Sequence, residues 1–307
     1  MKVVFFGRKD DCSHAAFLEI CSEHEIAGIV ECNATDSPQW RVRLLNLLGK
    51  FSLRGYALNR GIPYFNYSKK MKSSTLAAFL SNLIFDVGCV AVFSRLLGES
   101  VLRIPRCGFI NIHPSLLPKY RGPLPDYRQY WNEDPDGGVT VHIIDKGEDT
   151  GPILAQIPIR VEHGRHVYDY TKECVVKGAR EVSRILKGSY PFSSRPQQME
   201  TPFRARKLTD DDVIIDWSWP LERIYHVLAP ALSMTEVFAD FSFPWNLFSW
   251  TPERFEKKRQ KGRITGTLRL NTPPVDSIRF EKGRAVLSLE DGDLFLKGKF
   301  RIGKLLR

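Results

Sequence analysis

Three residues capable of chemistry stand near the middle of the chain. Asn111 and His113 lie two residues apart at the end of the apolar run CGFINIH, and Asp149 lies in the run HIIDKGEDTG about thirty residues later. Residues i and i+2 of a strand project from one face, so Asn111 and His113 can enter one site together. Pro114 and Pro118 stiffen the turn that follows. An amide, an imidazole and a carboxylate are the parts that acyl transfer needs. The amide holds the negative charge that develops on a carbonyl oxygen, the imidazole moves a proton, and the carboxylate orients the imidazole or stabilises its cation.

Other chemistries fit less well. Ser115 with His113 and Asp149 has the composition of a hydrolase triad. The chain has no G-x-S-x-G elbow, however, and Ser115 follows His113 by two residues in a proline-flanked turn. Ser115 is better suited to capping that turn or touching a ligand. The first strand ends at Gly7-Arg8-Lys9 without G-x-G-x-x-G, which argues against a dinucleotide site. His142 lies inside a strand and reads as a packed, hydrogen-bonded histidine. Arg121, in the loop KYRG, suits bidentate grip of a phosphate, a carboxylate or a ligand tail, and equally a structural salt bridge.

The elements that must position these residues alternate between two periodicities. Runs rich in Val, Ile and Phe at residues 2–7, 25–30, 62–67, 85–93, 107–112, 139–144 and 154–161 read as buried strands. Helical spacing is expected over 14–24, 40–59, 73–83 and 167–186, and a helix opens at Pro125 with Asp126, Tyr127 and Arg128 in its first turn. This alternation predicts an α/β, Rossmann-like, mostly parallel sheet with helices on both faces, and ligands in such sheets bind at the carboxyl ends of the strands. Residues 188–207 are rich in Ser, Pro and Gln and read as a linker between a catalytic domain (1–187) and a carboxyl-terminal β-rich domain (208–307). In that last domain an extended segment and a helix are expected over 208–230. Strands follow at 236–243, 262–270, 284–291 and 293–300, suggesting a small barrel. The charge run 257–263 reads as a solvated loop.

The segment from Gly108 to Gln156 resembles the folate-dependent formyltransferases, a family that includes enzymes acting on methionyl-tRNA, glycinamide ribonucleotide and amino sugars. The resemblance rests on the apolar strand with Asn-x-His, the run PSLLPKYRG, and GVTVHIIDKGEDTG, and it extends more loosely over 1–190. LTDDDVIIDW and GRAVLSLEDGDLFLKG are similar to the carboxyl-terminal barrel of the tRNA and aminoarabinose enzymes, an OB-like module. The resemblance implies that Asn111, His113 and Asp149 are the catalytic three. It also implies that two loops hold the pterin of 10-formyltetrahydrofolate, largely through backbone groups. One loop is Phe93, Ser94, Arg95, Leu96 and Leu97; the other contributes Ile144, Asp145, Gly147 and Glu148. Both loops are read as leaving strand ends on one edge of the sheet, with Gly147 allowing close approach to a flat ring. Ser115, Arg121 and Tyr127 would border the acceptor, and no step needs a metal.

Size and composition bound the reading. The chain has 307 residues, of which 43% are hydrophobic and 26% charged, an ordinary soluble composition, and no apolar run reaches bilayer length. A cytoplasmic protein is expected, with no membrane partner; a homodimer is compatible with the sequence. Six cysteines lie in the first 174 residues with no CxxC pair, and Cys89 and Cys107 read as buried thiols. The net charge is +10, and residues 254–307 carry 15 basic against 6 acidic side chains. That excess suits a tRNA or a nucleotide diphosphate, or is a solvated surface. The expected acceptor is the amine of a nucleotide-linked amino sugar, with methionyl-tRNA as the alternative. A reading of another class, a nucleic-acid-binding protein with an idle pocket, is opposed by the intact catalytic three. Residues 35–61 could form an acceptor loop, but their Trp and Leu residues suit covering the sheet.

Overall fold

The computed structural model describes residues 1–32, 51–68, 70–162, 165–198, 203–207, 219–220 and 223, and strand residues between 248 and 300. The chain divides into two compact units. The first comprises 1–125, 136–160 and 171–205, and the second comprises 126–135, 161–170 and 206–307.

The first unit is built on a seven-stranded sheet in the order β3-β2-β1-β4-β5-β6-β7. Its strands are β1 (Lys2–Arg8), β2 (Glu25–Cys32), β3 (Tyr64–Tyr67), β4 (Val87–Ala91), β5 (Phe109–His113), β6 (Gly138–Ile143) and β7 (Ile153–Pro158). The helices of the chain are α1 (Asp11–Cys21), α2 (Leu53–Arg60), α3 (Ser73–Ser81), α4 (Glu99–Leu102), α5 (Pro125–Trp131) and α6 (Val167–Leu186). Strands β1 to β5 pair in parallel, and β1 and β4 are buried on both faces along nearly their whole length. Side-chain caps start two of the helices, at Asp11 and Leu53 rather than at the expected 14 and 40. Asp10 caps α1 by accepting from the Ser13 N–H at 2.7 Å, and Ser52 caps α2 by accepting from Gly55 at 3.1 Å.

The sheet is mixed rather than parallel throughout. β6 runs antiparallel to β5, and β7 antiparallel to β6. The nine residues between β6 and β7 are fewer than the dozen or so that a parallel crossover needs. One expectation is corrected by this reversal. The loop before Leu97 leaves β4 level with the end of β5, since Ala91 pairs with Ile112. The loop after Ile143 leaves β6 level with the start of β5, since Ile143 pairs with Ile110. The two loops therefore start at different ends of β5, and the second must double back to bring Asp149 to His113.

The core beneath the sheet's working edge is aromatic. Phe6 meets Phe93 edge-on at 5.5 Å and Phe109 at 5.3 Å. These rings join Val4, Val30, Leu76, Leu80 and Val90 in one cluster. On β5, Ile112 packs so closely under α6 that a side chain at Gly178 would meet its Cγ2 atom at 2.4 Å. Cys89 is fully buried, and burial pushes its thiol up to about 12. No helix among the described residues is long and apolar enough to cross a membrane.

The second unit contains a five-stranded antiparallel sheet in the order β10-β11-β12-β8-β9. Its strands are β8 (Phe248–Lys257), β9 (Gln260–Arg263), β10 (Ile278–Glu281), β11 (Arg284–Leu289) and β12 (Gly292–Phe300). β10 and β11 pair antiparallel from Ile278 with Leu287 to Glu281 with Arg284. The charge run 257–263, expected as a loop, instead contains β9, which pairs with β8 from Lys257 to Arg254. Most of the extended segment and helix expected over 208–230, and the strand over 236–243, lie outside the described residues. So does most of 262–270, and with it the test of barrel closure. The first part of the helix expected over 40–59 is likewise outside.

Candidate active site

The three expected residues do meet. The Asp149 carboxylate lies 3.6 Å from His113 Nδ1 through Oδ2, and 3.5 Å from Asn111 Nδ2 through Oδ1. Asn111 and His113 therefore share a face of β5, as the i, i+2 spacing requires. His113 is buried and Asp149 is nearly so, with 17% of its side chain exposed.

A fourth residue belongs with them. The cross-strand register sets His142 of β6 opposite Asn111, with His142 Nε2 at 3.1 Å from Asn111 Nδ2 and at 3.6 Å from Asp149 Oδ1. The sequence marks His142 as a buried, hydrogen-bonded histidine, which it is, but gives no sign that its partner is the Asn111 amide. That became legible only with the antiparallel register.

The network assigns the protons. His113 Nε2 lies 3.0 Å from the Tyr120 carbonyl, which can only accept, so Nε2 carries a hydrogen and Nδ1 is the atom that titrates. His142 Nδ1 lies 2.9 Å from the Ile143 carbonyl and donates to it, leaving Nε2 of the neutral ring to accept from Asn111. One Asn111 N–H is thus committed to His142. The other, held only at 3.5 Å by Asp149, is the donor left for a developing oxyanion.

Asp149 is kept ionised. Burial alone would raise its carboxyl. That is outweighed by the charge of His113, the hydrogen bond and charge of His142, and the Gly122 N–H donated at 2.9 Å, which together hold it well below the usual carboxylate range.

The backbone around the site is strained. Among the described residues four non-glycines have positive φ, and three flank the site: Val92 (56°), Tyr120 (61°) and Asp149 (55°). Two glycines are required by contact. At Gly122 (φ 119°) a Cβ would stand 2.4 Å from the Ala205 carbonyl oxygen, and at Gly151 it would stand 1.8 Å from that of Ile143.

The loops expected to hold a cofactor converge on the aromatic cluster, where Phe93, Leu97 and Ile144 pack against it while Leu96 is 74% exposed. An ion pair from Lys146 to Glu99 at 2.8 Å links their outer edges. Arg95 lies over the Tyr67 ring, and its Nη2 is buried with no hydrogen-bond partner. Ser94 Oγ lies 3.5 Å from Cys32 Sγ. Asp145 accepts from the Gly147 N–H and the Thr150 hydroxyl, holding the second loop in shape, and Glu148 pairs with Arg204.

The residues expected at the acceptor are differently employed. Ser115 is fully buried and donates its hydroxyl to the Lys119 carbonyl at 2.8 Å, so it caps the turn. Arg121 is buried and donates to Gln197 Oε1 and the Gln198 carbonyl. Tyr127 belongs to the second unit, where it is buried and stacks on Trp131 with centroids 6.0 Å apart.

A family model described as formyl transferase matches residues 1–183, a span that contains all four site residues. The chain belongs to the formyl transferase family. Among curated formyltransferases, the methionyl-tRNA formyltransferase of Roseiflexus sp. is 37% identical over 172 residues, 55% of this chain and 52% of that protein. The chain thus spans about half the length of that relative. The Chloroflexus aurantiacus methionyl-tRNA formyltransferase is 31% identical over 235 residues, 75% of this chain and 74% of that protein. Solved formyltransferases share the fold. WlaRD, a sugar 3N-formyl transferase solved with dTDP and 5-N-formyl-THF, superposes with a TM-score of 0.63 at 15% identity, covering 98% of each chain. The Helicobacter canadensis N-formyltransferase, solved with folinic acid and dTDP-3-aminofucose, gives 0.62 at 14% identity over 98% of this chain and all of that one.

Proposed function

We propose that this protein is an N-formyltransferase that moves a formyl group from 10-formyltetrahydrofolate to a primary amine, and that the amine belongs to a nucleotide-linked amino sugar. The observation that carries the transfer chemistry is the meeting of Asn111, His113 and Asp149 around one carboxylate, at distances of 3.5–3.6 Å.

The residues of the first unit suit the donor. Phe93, Leu97 and Ile144 offer an apolar surface for a flat ring, and the buried Arg95 Nη2 is a donor without a partner, fit for a carbonyl or carboxylate of the ligand. When bound, 10-formyltetrahydrofolate supplies the formyl carbonyl that the acceptor amine attacks. His113 takes the amine proton at Nδ1, because Nε2 is anchored to Tyr120. Asp149 stabilises the resulting imidazolium through its charge at 3.6 Å. Asn111 turns its loosely held N–H to the carbonyl oxygen as charge gathers there, while His142 holds the other N–H of the same nitrogen. His113 then returns the proton to the leaving nitrogen.

The acceptor assignment draws support from HPSLLPKYRG, which resembles the sugar enzymes, and from fold neighbours of that class that align along nearly the whole chain. A second reading, methionyl-tRNA, is favoured by the curated relatives and by the 15 basic against 6 acidic residues over 254–307. One experiment tests both: the protein is incubated with labelled 10-formyltetrahydrofolate, then with dTDP-linked amino sugars or charged initiator tRNA, and products are read by mass. Formylated amino sugar is the expected product. Formylated methionyl-tRNA alone, with a rate that falls steeply as salt rises, selects the second reading, since tRNA contact releases many counterions. No transfer to either overturns the assignment.

A further inference from the structure

Asp149 is held in a left-handed backbone conformation that a residue with a side chain seldom adopts. Such a conformation persists only when its surroundings over-determine it. The surroundings here come from an unexpected place. Residues 188–207 read as a linker, yet Arg195 exchanges two backbone hydrogen bonds with Ile153 at 2.8 and 2.9 Å. Farther on, Phe203 accepts from Tyr120 N–H at 2.7 Å, and Ala205 donates to the Arg121 carbonyl at 2.9 Å. The Tyr120 and Phe203 rings stack with centroids 5.6 Å apart. Residues 194–198 and 203–205 form a strap bound to both loops that carry the site.

At its centre is Gln197. Its side-chain amide donates to the backbone carbonyl of Asp149 at 3.0 Å and to that of Gly151 at 2.6 Å. Its Oε1 accepts from Arg121 at 2.7 and 3.1 Å, so the amide is held in one orientation. Arg121 is the residue before Gly122, whose N–H donates to the Asp149 carboxylate. Backbone and side chain of Asp149 are therefore gripped from one assembly. We propose that Gln197 is a positioning residue of the acid–base centre, holding Asp149 at its working distance from His113 with Arg121 as its brace. This deepens the formyl-transfer reading and rests on it for the kinetic part of the test alone.

The decisive readout needs no substrate. The His113 ring faces the Asp149 carboxylate, the Tyr120 carbonyl and, at 6.2 Å between centroids, the His142 ring. Asn111 adjoins the same carboxylate, Arg121 is turned to Gln197, and Glu148 is paired with Arg204. Of these, the Asp149 carboxylate is the group in direct reach of Nδ1. In Gln197→Met, which keeps the volume and loses the donors, that carboxylate drifts from His113, and the imidazole followed by NMR titrates at lower pH than in the wild type. The kcat for formyl transfer falls about 10- to 100-fold while KM for the donor stays within about twofold, as expected for a misplaced group outside the binding surface. Gln197→Glu keeps the Arg121 contact, cannot donate when ionised, and behaves alike; it serves where the Met variant does not fold. Ser194→Ala, an exposed position of the same strap, leaves both readouts at wild-type values. A folded Gln197 variant with an unchanged His113 titration and unchanged kcat overturns the proposal. A wild type without transferase activity overturns the functional reading instead, and the titration still decides this one.

Discussion

The two sides of the large sheet are built to different rules. From β3 to β4 the strands are parallel and nearly all apolar, and the main buried polar group is Glu31. From β5 to β7 the direction reverses, and His113, Ser115, Arg121, Thr140 and His142 are all buried. Tyr120 and Asp149, with positive φ, lie on this side too. Each of its buried polar groups has a hydrogen-bond partner, as with Thr140, which donates to the Ser115 carbonyl at 2.6 Å and accepts from Leu117 N–H. A side chain on the first side mainly fills space, so replacing it changes stability. A side chain on the second holds another in place, so replacing it is expected to change the proposed reaction.

The largest effect that would break this contrast is in rate. Asn111→Ala, His113→Ala and Asp149→Ala should each lower kcat by about 100-fold or more with the fold intact by circular dichroism, the size measured for lost oxyanion donors. Wild-type rates in any of them would remove the second side's distinction. Next is Gly151→Ala, whose Cβ has only the Ile143 carbonyl to meet; about 3 kcal/mol of stability should be lost in urea melts, with activity gone as well. On the first side, Leu80→Ala removes a fully buried group from the aromatic cluster and should cost about 2–3 kcal/mol, while the folded protein keeps kcat within about twofold. A large kcat loss there would show that the two sides are not separable.

The smallest effect sets one buried carboxyl against the other. Burial raises the Glu31 carboxyl despite the Tyr64 hydroxyl donated at 2.6 Å and the charges of Lys9 and Arg54, and its Oε1 has no partner. A raised native value means that stability is lost as pH climbs above the unfolded carboxyl value of about 4.3. Glu31→Gln should therefore stabilise at neutral pH by about 0.5–1 kcal/mol, with the gain vanishing near pH 4 in thermal melts. Asp149 has the opposite sign. Its stabilising contribution is complete above the unfolded value of about 3.9 and is lost only as pH falls below it.

Sequence reasoning recovered the parts that depend on local pattern. The strand periods gave all seven strands of the sheet, and Asn111 and His113 share a face because spacing alone requires it. The direction of β6 was hidden, since a run such as VTVHII is equally apolar whichever way it lies, and with it went the role of His142 and the route by which Asp149 returns. The helix α4 escaped because four residues carry too little periodicity to read. Gln197 had no signal at all. A polar, proline-rich stretch has the composition of a tether, and its value came from carbonyls nearly fifty residues upstream that only the folded chain brings within reach.

The strap also fixes where the catalytic unit can be cut. A fragment ending at Leu186 would keep every strand of the large sheet and all four side chains of the site. It would lack the amide that restrains the Asp149 and Gly151 carbonyls, as well as the pairing at Ile153. Such a piece could be well ordered and still work poorly. A piece that keeps the proposed site restrained should extend through Ala205, past residue 183 where the family match ends.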